Sequence, residues 1–285
     1  MKTGIVFEGG AFRTIFSCGV MDALVENDIM PDYMIGVSAG AAYGVSMASK
    51  QPRRNLDVLM KYRNDKRYLG LSNMIDKDNK SIYGLEFSYE TIPNELNLFD
   101  YDAFKQYKGD FYCVVTNLLT GQPEYMKYTG DDRTNTVLKA TCALPMLFPP
   151  IIINDVPYMD GGLSDSIPYL KAIEDGCDRI IVVLTRQSGY TKTTSRSTKA
   201  IAYSYRNQYP KLTETMLTRA SRYNESLKGL DQYVKEGRII TIQPTTSKGF
   251  SRLEKDKNKI LSMYNDGYNQ FYELLDTIKE FYGIK

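Results

Sequence analysis

One serine in this chain stands between two glycines, in a pattern that can make its hydroxyl a nucleophile. Ser38 has Gly36 and Gly40 two positions away on either side, so the segment reads G-x-S-x-G. The apolar residues before it predict a strand, and the small residues after it predict the start of a helix. On such a tight turn the hydroxyl projects from the sheet edge at a helix N-terminus, where the dipole favours developing negative charge. Five residues can match by chance, but this context favours a catalytic Ser38.

The composition limits which group could take the proton from this serine, because the chain contains no histidine. A Ser-His-Asp triad, a Cys-His pair and a histidine zinc motif are therefore excluded within the chain. Far downstream, Asp160 ends an extended run and is followed by Gly161 and Gly162. Two interpretations remain open: a simple polar turn, or a carboxylate held at the mouth of the sheet.

A second glycine-rich turn lies near the N-terminus, between a predicted strand at 3–7 and a predicted helix at 15–25. Its sequence runs from Glu8 through Gly9, Gly10 and Ala11 to Arg13. Backbone N–H groups at such a strand-turn-helix junction can bind a phosphate or an oxyanion. The spacing is neither the dinucleotide G-x-G-x-x-G pattern nor a P-loop. A tight turn without a ligand is the alternative.

Length and composition are those of an ordinary globular protein. The chain has 285 residues, 42% hydrophobic and 25% charged, with a formal net charge of +2, so we expect no nucleic-acid partner. We expect no signal peptide, because only a short apolar strand precedes Glu8, and no membrane span, because no window approaches eighteen apolar residues. The four cysteines show no paired spacing, and we interpret them as reduced core residues of a cytoplasmic protein. No metal site or cofactor is expected.

Strand and helix patterns alternate along the chain, which favours an α/β fold with a mostly parallel sheet. Strands are predicted at 3–7, 111–116, 123–128, 156–159, 179–184 and 238–243, and helices at 15–25, 39–49, 134–142, 168–175, 198–209, 211–236 and 255–281. Residues 68–104 lack periodicity and are predicted to form an irregular, partly mobile insertion over one end of the sheet. The simplest organisation is a catalytic domain at 1–190 and a helical C-terminal extension at 191–285, packed on the same domain.

Three segments together, in this order, resemble the patatin-like phospholipase family, and in particular bacterial patatin-like lipid acyl hydrolases. They are the glycine loop at 8–13, the elbow at 36–40 and the Asp-Gly-Gly at 160–162. A small-residue and proline segment at 140–150 is also similar to the family, and the match spans roughly residues 3–185. The resemblance implies a three-layer α/β/α fold with a helical C-terminal extension. It also implies a Ser-Asp dyad that works without histidine.

The resemblance assigns roles residue by residue. It implies Ser38 as the nucleophile and Asp160 as the base. The N–H groups of Gly9, Gly10 and Ala11 would form the oxyanion hole, with Arg13 supporting that loop or meeting a substrate phosphate. Gly36, Gly40, Gly161 and Gly162 would support the motifs. The family usually has glycine where this chain has Ala11 and Thr14, and we expect the hole to be retained if the φ angle of Ala11 is negative.

The expected function is a serine lipid acyl hydrolase of the phospholipase A type, which cleaves carboxylic esters of phospholipids or related lipids through an acyl-enzyme. A carboxylesterase or thioesterase on soluble acyl donors, and a non-catalytic lipid-binding protein, are the alternatives. The insertion and the basic, tyrosine-rich region at 192–259 are candidates for peripheral contact with an anionic membrane, at its inner face. A solvated helical face is the simpler interpretation for any single residue there.

Overall fold

A central sheet organises the computed structural model, which describes residues 1–77 and 79–284. Its strands are β1 (Thr3–Phe7), β2 (Tyr33–Val37), β3 (Asp110–Asn117), β4 (Pro123–Lys127), β5 (Ile151–Ile153), β6 (Val156–Asp160), β7 (Arg179–Val183) and β8 (Ile239–Ile242). Within these residues the strand order is β5-β6-β3-β2-β1-β7-β8, with β4 also paired to β3. The five neighbouring strands β3, β2, β1, β7 and β8 pair in parallel. Strands β4 and β6 pair antiparallel with β3, and β5 pairs antiparallel with β6. The predicted mostly parallel sheet is confirmed.

Helices flank this sheet. They are α1 (Ile15–Glu26), α2 (Ala39–Ala48), α3 (Arg54–Tyr62), α4 (Ser72–Ile75), α5 (Tyr101–Gln106), α6 (Thr136–Cys142), α7 (Tyr169–Glu174), α8 (Arg196–Ser204), α9 (Pro210–Lys235), α10 (Lys257–Glu273) and α11 (Leu275–Tyr282). Short 3-10 turns occur at Ala11–Thr14 and Gly161–Leu163, and a π-helical segment at Phe87–Leu96. Among the residues described, no helix combines the length and apolar character needed to cross a bilayer.

The sheet buries side chains on both faces. In β1, Ile5 and Phe7 belong to one apolar cluster together with residues of α1 and α10. Val6, between them, points to the opposite cluster, which includes residues of α7 and α9. This period-two alternation with both faces covered is typical of a parallel sheet between helical layers. The predicted three-layer α/β/α fold is confirmed.

The C-terminal region adds both a strand and a helix to this arrangement. Strand β8 pairs in parallel with β7, and α10 packs closely against α1. A Cβ added at Gly19 would lie 2.1 Å from the Tyr264 carbonyl oxygen, and one at Gly267 would lie 2.0 Å from that of Phe16. Glycine is therefore needed on both helices where their backbones touch. The division at residue 190 stays a prediction.

Two details of the predicted elements are wrong. The single terminal helix expected at 255–281 is two helices, which meet at Leu274. The break allows Ile278 and Tyr282 to be buried, and the Tyr282 hydroxyl donates to the Gly4 carbonyl at 2.6 Å. The insertion at 68–104 is not wholly irregular, because it contains α4, α5 and the π-helical segment. Within that segment Pro93 lacks the N–H that an α-helical hydrogen bond requires.

Candidate active site

The elbow around Ser38 has the strained backbone that its sequence predicts. Ser38 lies between β2 and α2 with φ 55° and ψ −128°, a conformation that residues with side chains rarely adopt. A Cβ at Gly36 would lie 2.5 Å from the Ala41 nitrogen, and one at Gly40 would lie 2.4 Å from the Phe7 carbonyl oxygen. Both glycines are thus required by close backbone approach, and strain of this kind is common at functional sites.

A threonine holds this turn in place, and sequence reasoning did not single it out. The Ser38 N–H donates to Thr141 Oγ1 at 2.9 Å, and the Thr141 hydroxyl donates to the Val114 carbonyl at 2.5 Å. Thr141 is fully buried in α6. It lies in the small-residue and proline segment at 140–150, which was noted only as a resemblance. The hydroxyl connects the elbow to the neighbouring strand β3.

Strand register brings Asp160 to the same sheet edge as Ser38. Val37 pairs with Val114 of β3, and Val115 pairs with Asp160 of β6. The last residue of β6 therefore lies beside the end of β2, separated from it by β3 alone. Asp160 is 2% exposed. The aspartate predicted from the sequence and the predicted nucleophile share one cavity wall.

The environment of this carboxylate favours a stronger base than an ordinary aspartate. Burial raises the pKa of Asp160, while the charge of Arg219, a hydrogen bond with the Ser38 side chain and the Gly162 N–H oppose that rise. The Gly162 N–H donates to Asp160 Oδ1 at 2.8 Å. The net pKa lies above the ordinary value because desolvation disfavours the charged form. Next to it, a Cβ at Gly161 would lie 2.1 Å from the Val114 carbonyl oxygen, so that turn also needs glycine.

The glycine loop presents free backbone donors beside Ser38. Within residues 1–77 and 79–284, the N–H groups of Gly9, Gly10 and Ala11 form no hydrogen bond. A Cβ at Gly9 would lie 2.6 Å from the Val37 carbonyl oxygen and 2.8 Å from Ser38 Cβ. This loop and the elbow are therefore in direct contact. Free N–H groups so close to a nucleophile can stabilise an oxyanion.

The condition of a negative φ at Ala11, under which we expected the hole to be retained, is not met. Its φ is 50°, in the left-handed region, because the chain reverses there to enter the 3-10 turn. Alanine in this region costs about 1–2 kcal/mol relative to the right-handed region, a cost that glycine avoids. The Ala11 N–H nevertheless stays unpaired, so the departure from glycine costs stability and keeps the donor.

Glu8, at the start of the glycine loop, is hydrogen-bonded to residues from distant parts of the chain. Its carboxylate accepts hydrogen bonds from the Thr185 N–H at 2.7 Å, the Thr185 hydroxyl at 3.0 Å and the Tyr223 hydroxyl at 2.9 Å. Glu8 is 3% exposed, so these bonds satisfy a buried charge. Thr185 and Tyr223 carry no motif that could have identified them in the sequence.

Two cavities meet at Ser38. One, of about 990 Å³ including its opening to solvent, is mainly apolar, and its walls include Phe12, Val45, Val58, Ile92, Leu138 and Phe148. The other, of about 570 Å³, is polar and contains Asp160, the glycine loop and Arg13. Ala11, Ser38 and Leu144 line both. The insertion at 68–104 supplies part of the apolar wall, including Ile92 and Phe99. It therefore lies beside Ser38, over one end of the sheet as we expected from the sequence.

Arg13 lines the polar cavity beside the glycine loop. The family resemblance implied a position of this kind, where the side chain could support the loop or meet a substrate phosphate. Arg13 is 6% exposed, and in the described residues its buried Nε has no hydrogen-bond partner. Burial, followed by the charges of Arg186 and Arg252, lowers the pKa of Arg13 to about 10. The described residues contain no group of three or more His, Cys, Asp or Glu side chains arranged to hold a metal ion.

The chain matches two known family models. The model of the family described as patatin-like phospholipase matches residues 5–173, which is more than half of the chain. The chain belongs to the patatin-like phospholipase family. A second family model, a domain of unknown function (DUF6363), matches residues 209–283 of this patatin-like protein.

Individual relatives match about two thirds of this chain. The uncharacterized protein YjjU of Escherichia coli is 27% identical over 65% of this chain and 52% of its own length. Lysophospholipase nte1 of Aspergillus terreus is 29% identical over 64% of this chain and 12% of its own length. The chain thus spans about half, or much less, of these curated relatives. The crystal structure of VipD from Legionella pneumophila aligns with a TM-score of 0.48 and 16% identity, over 97% of this chain and 67% of that one.

Proposed function

We propose that this patatin-like protein is a serine lipid acyl hydrolase of the phospholipase A type, with Ser38 and Asp160 as its catalytic dyad. Family membership supports lipid acyl hydrolase activity in general terms. The observation that carries the finer proposal is the position of Ser38. It joins an apolar cavity to a polar one, next to a buried carboxylate and three free N–H groups.

The proposed reaction has two stages. The Ser38 oxygen attacks the ester carbonyl carbon while Asp160 takes the hydroxyl proton. The N–H groups of the glycine loop stabilise the resulting oxyanion, a contribution for which a single donor is worth about 10²–10³ in rate. The carbon–oxygen bond to the leaving alcohol then breaks, and Asp160 returns the proton to that oxygen.

The second stage releases the acyl group. Asp160 takes a proton from water, whose oxygen attacks the acyl-enzyme carbonyl, and the proton returns to Ser38 as the fatty acid leaves. An aspartate with an ordinary pKa near 4 is a weak base toward a hydroxyl. Burial raises the pKa of Asp160 and so reduces that mismatch, which supports the proposal of a dyad without histidine.

We further propose peripheral contact with an anionic membrane surface. The segment around α4 leaves Leu71, Met74 and Ile75 exposed by 76%, 36% and 86%. Lys66 and Lys77 are exposed on either side of it. Apolar side chains flanked by lysines suit an interface with acidic headgroups. A cytoplasmic location stays a prediction from the sequence.

A flotation assay tests the membrane contact. We expect Ile75→Asp to reduce recovery with vesicles containing acidic phospholipid, and high salt to reduce it further. Leu119→Asp is the matched control, since Leu119 is also exposed, by 59%, on the turn after β3. Equal recovery of both variants would reject this surface.

Active-site labelling tests the dyad. A fluorophosphonate should label the native protein and the Ser72→Ala control, whose serine is exposed in α4, but not Ser38→Ala. Asp160→Asn should lower ester hydrolysis at least about 10³-fold while the fold is kept. Labelling of Ser38→Ala, or turnover by Asp160→Asn at the native rate, would contradict the proposal.

A further inference from the structure

Five cationic side chains converge on the polar cavity beside Ser38. This cationic cluster consists of Arg13, Arg186, Lys192, Arg219 and Arg252. The loop after β7 supplies two of them, α9 supplies one and the segment before α10 another. These four lie outside the residues 5–173 matched by the patatin-like family model. They are therefore a property of the C-terminal half of this chain rather than of the family motifs.

The five cations form no direct ion pair among the described residues, and they outnumber the carboxylates of the cavity. Within the described residues, none of the five forms an ion pair within 4.0 Å. Only two carboxylates line the same cavity, Glu8 and Asp160. Glu8 is already bonded to Thr185 and Tyr223, and Asp160 is the proposed base. Arg13 is buried, Arg186, Lys192 and Arg219 are half-buried, and Arg252 is exposed at the rim of the cavity. Holding several partly desolvated cations together without ion-pair partners is unfavourable, so such a site is suited to an anion.

Hydrogen bonds fix the backbone at Lys192 and Arg252 and the side chain of Arg219. The Lys192 N–H donates to Asn224 Oδ1 at 2.8 Å, and Asn224 Nδ2 donates back to the Lys192 carbonyl at 2.9 Å. Arg219 Nε donates to the Gly162 carbonyl at 2.5 Å. The Arg252 carbonyl accepts from the Phe12 N–H at 3.0 Å, which ties its loop to the glycine turn. Such preorganisation lowers the entropy cost of binding.

The same cavity is poorly suited to a quaternary ammonium group. Recognition of choline commonly relies on open aromatic faces. Two tyrosine rings line the cavity, but Lys192 Nζ lies 3.6 Å from the centre of the Tyr223 ring, and the Arg186 guanidinium lies 4.5 Å from that of Tyr190. Each of these two rings therefore already has a cation of the protein over one face. A positively charged headgroup would meet repulsion instead.

We propose that the cationic cluster binds the phosphate monoester of a lipid headgroup, so that this protein selects anionic lipid esters over phosphocholine esters. This inference rests on the proposed function, because it takes the polar cavity as the headgroup side of a site whose acyl chain fills the apolar cavity. Arginine forks and a lysine ammonium match the oxygens of a phosphate. The cluster confers headgroup specificity, and the dyad performs the chemistry.

Binding without turnover tests the cluster independently of the dyad. Calorimetry on the full chain compares decyl phosphate with decylphosphocholine, which have equal chains and no ester to hydrolyse. We expect decyl phosphate to bind at least about tenfold more tightly, the effect of one charge-assisted contact. Lys192→Gln should lose about tenfold in this affinity, and the exposed Lys199→Gln control in α8 should lose nothing.

A second variant guards against misfolding, and kinetics separates the two proposals. Arg252→Gln alters an exposed side chain and should also weaken decyl phosphate. Equal affinity for the two amphiphiles, or an unchanged preference in both variants, would overturn the inference. On monoacyl substrates with matched chains, hydrolysis without headgroup preference would reject the cluster and keep the hydrolase. Phosphate preference in binding without any hydrolysis would reject the hydrolase and keep the anion site.

Discussion

Thr141→Val tests whether one buried hydroxyl holds the backbone of Ser38, the proposed nucleophile, in place. Valine keeps the shape of threonine but removes the acceptor of the Ser38 N–H and the donor to the Val114 carbonyl. Because residue 141 is fully buried, water cannot replace the hydroxyl. Leaving a buried donor unsatisfied costs about 1–3 kcal/mol, and we expect the free energy of unfolding to fall by that amount. With the elbow at φ 55°, release of its N–H should also lower kcat, by up to about 10²-fold.

Thr141→Ser is the matched control, since serine keeps the hydroxyl and loses one methyl group. The lost methyl should cost only about 0.8 kcal/mol, and kcat should remain close to the native value. Urea denaturation of the full chain measures the first quantity, and hydrolysis of a monoacyl phospholipid measures the second. If the valine variant were as stable and as active as the serine variant, the hydroxyl would not position Ser38, and the reasoning would be refuted.

Three further predictions follow from the pKa shifts and the helix contact. Burial raises the pKa of Asp160, and the proposed mechanism requires this carboxylate to be deprotonated. The value of kcat/KM should therefore fall as pH decreases through a pKa above the ordinary value near 4, and an acid limb at or below 4 would contradict this. The pKa of Lys192 is lowered to about 7, mainly by burial. The positive charges of Arg219, Arg252 and Arg186 contribute to this lowering of the pKa, and the negative charge of Glu8 opposes it. Affinity for decyl sulfate, whose charge is constant, should therefore fall as pH rises from 6 to 8, and Lys192→Gln should flatten that profile. Gly267→Ala should lower the free energy of unfolding by about 1–3 kcal/mol, because the added Cβ would lie 2.0 Å from the Phe16 carbonyl oxygen. Thermal or urea unfolding measures this loss. The control Asn265→Ala, on the exposed side of α10, should change the free energy of unfolding by less than about 0.5 kcal/mol.

The parts of the site predicted from sequence are those that local sterics dictate. The elbow required Gly36 and Gly40 because the backbone passes too close for any Cβ, and this left a recognisable pattern. The strands of the parallel core were predictable because β-branched and apolar residues are concentrated in them. Where local signals were weak, the predictions failed: the insertion contains helical segments, and the terminal helix breaks at Leu274.

The sequence by itself determined the motif residues and, by its lack of histidine, excluded a histidine base within the chain. Only the tertiary structure decided which distant side chains join them. Thr141 reaches Ser38 across 103 positions, and Tyr223 reaches Glu8 across 215. The cationic cluster is assembled from the same kind of separation, on loops and a helix that carry no motif. Such contacts depend on strand order and helix packing, whereas a motif depends on the conformation of a few consecutive residues.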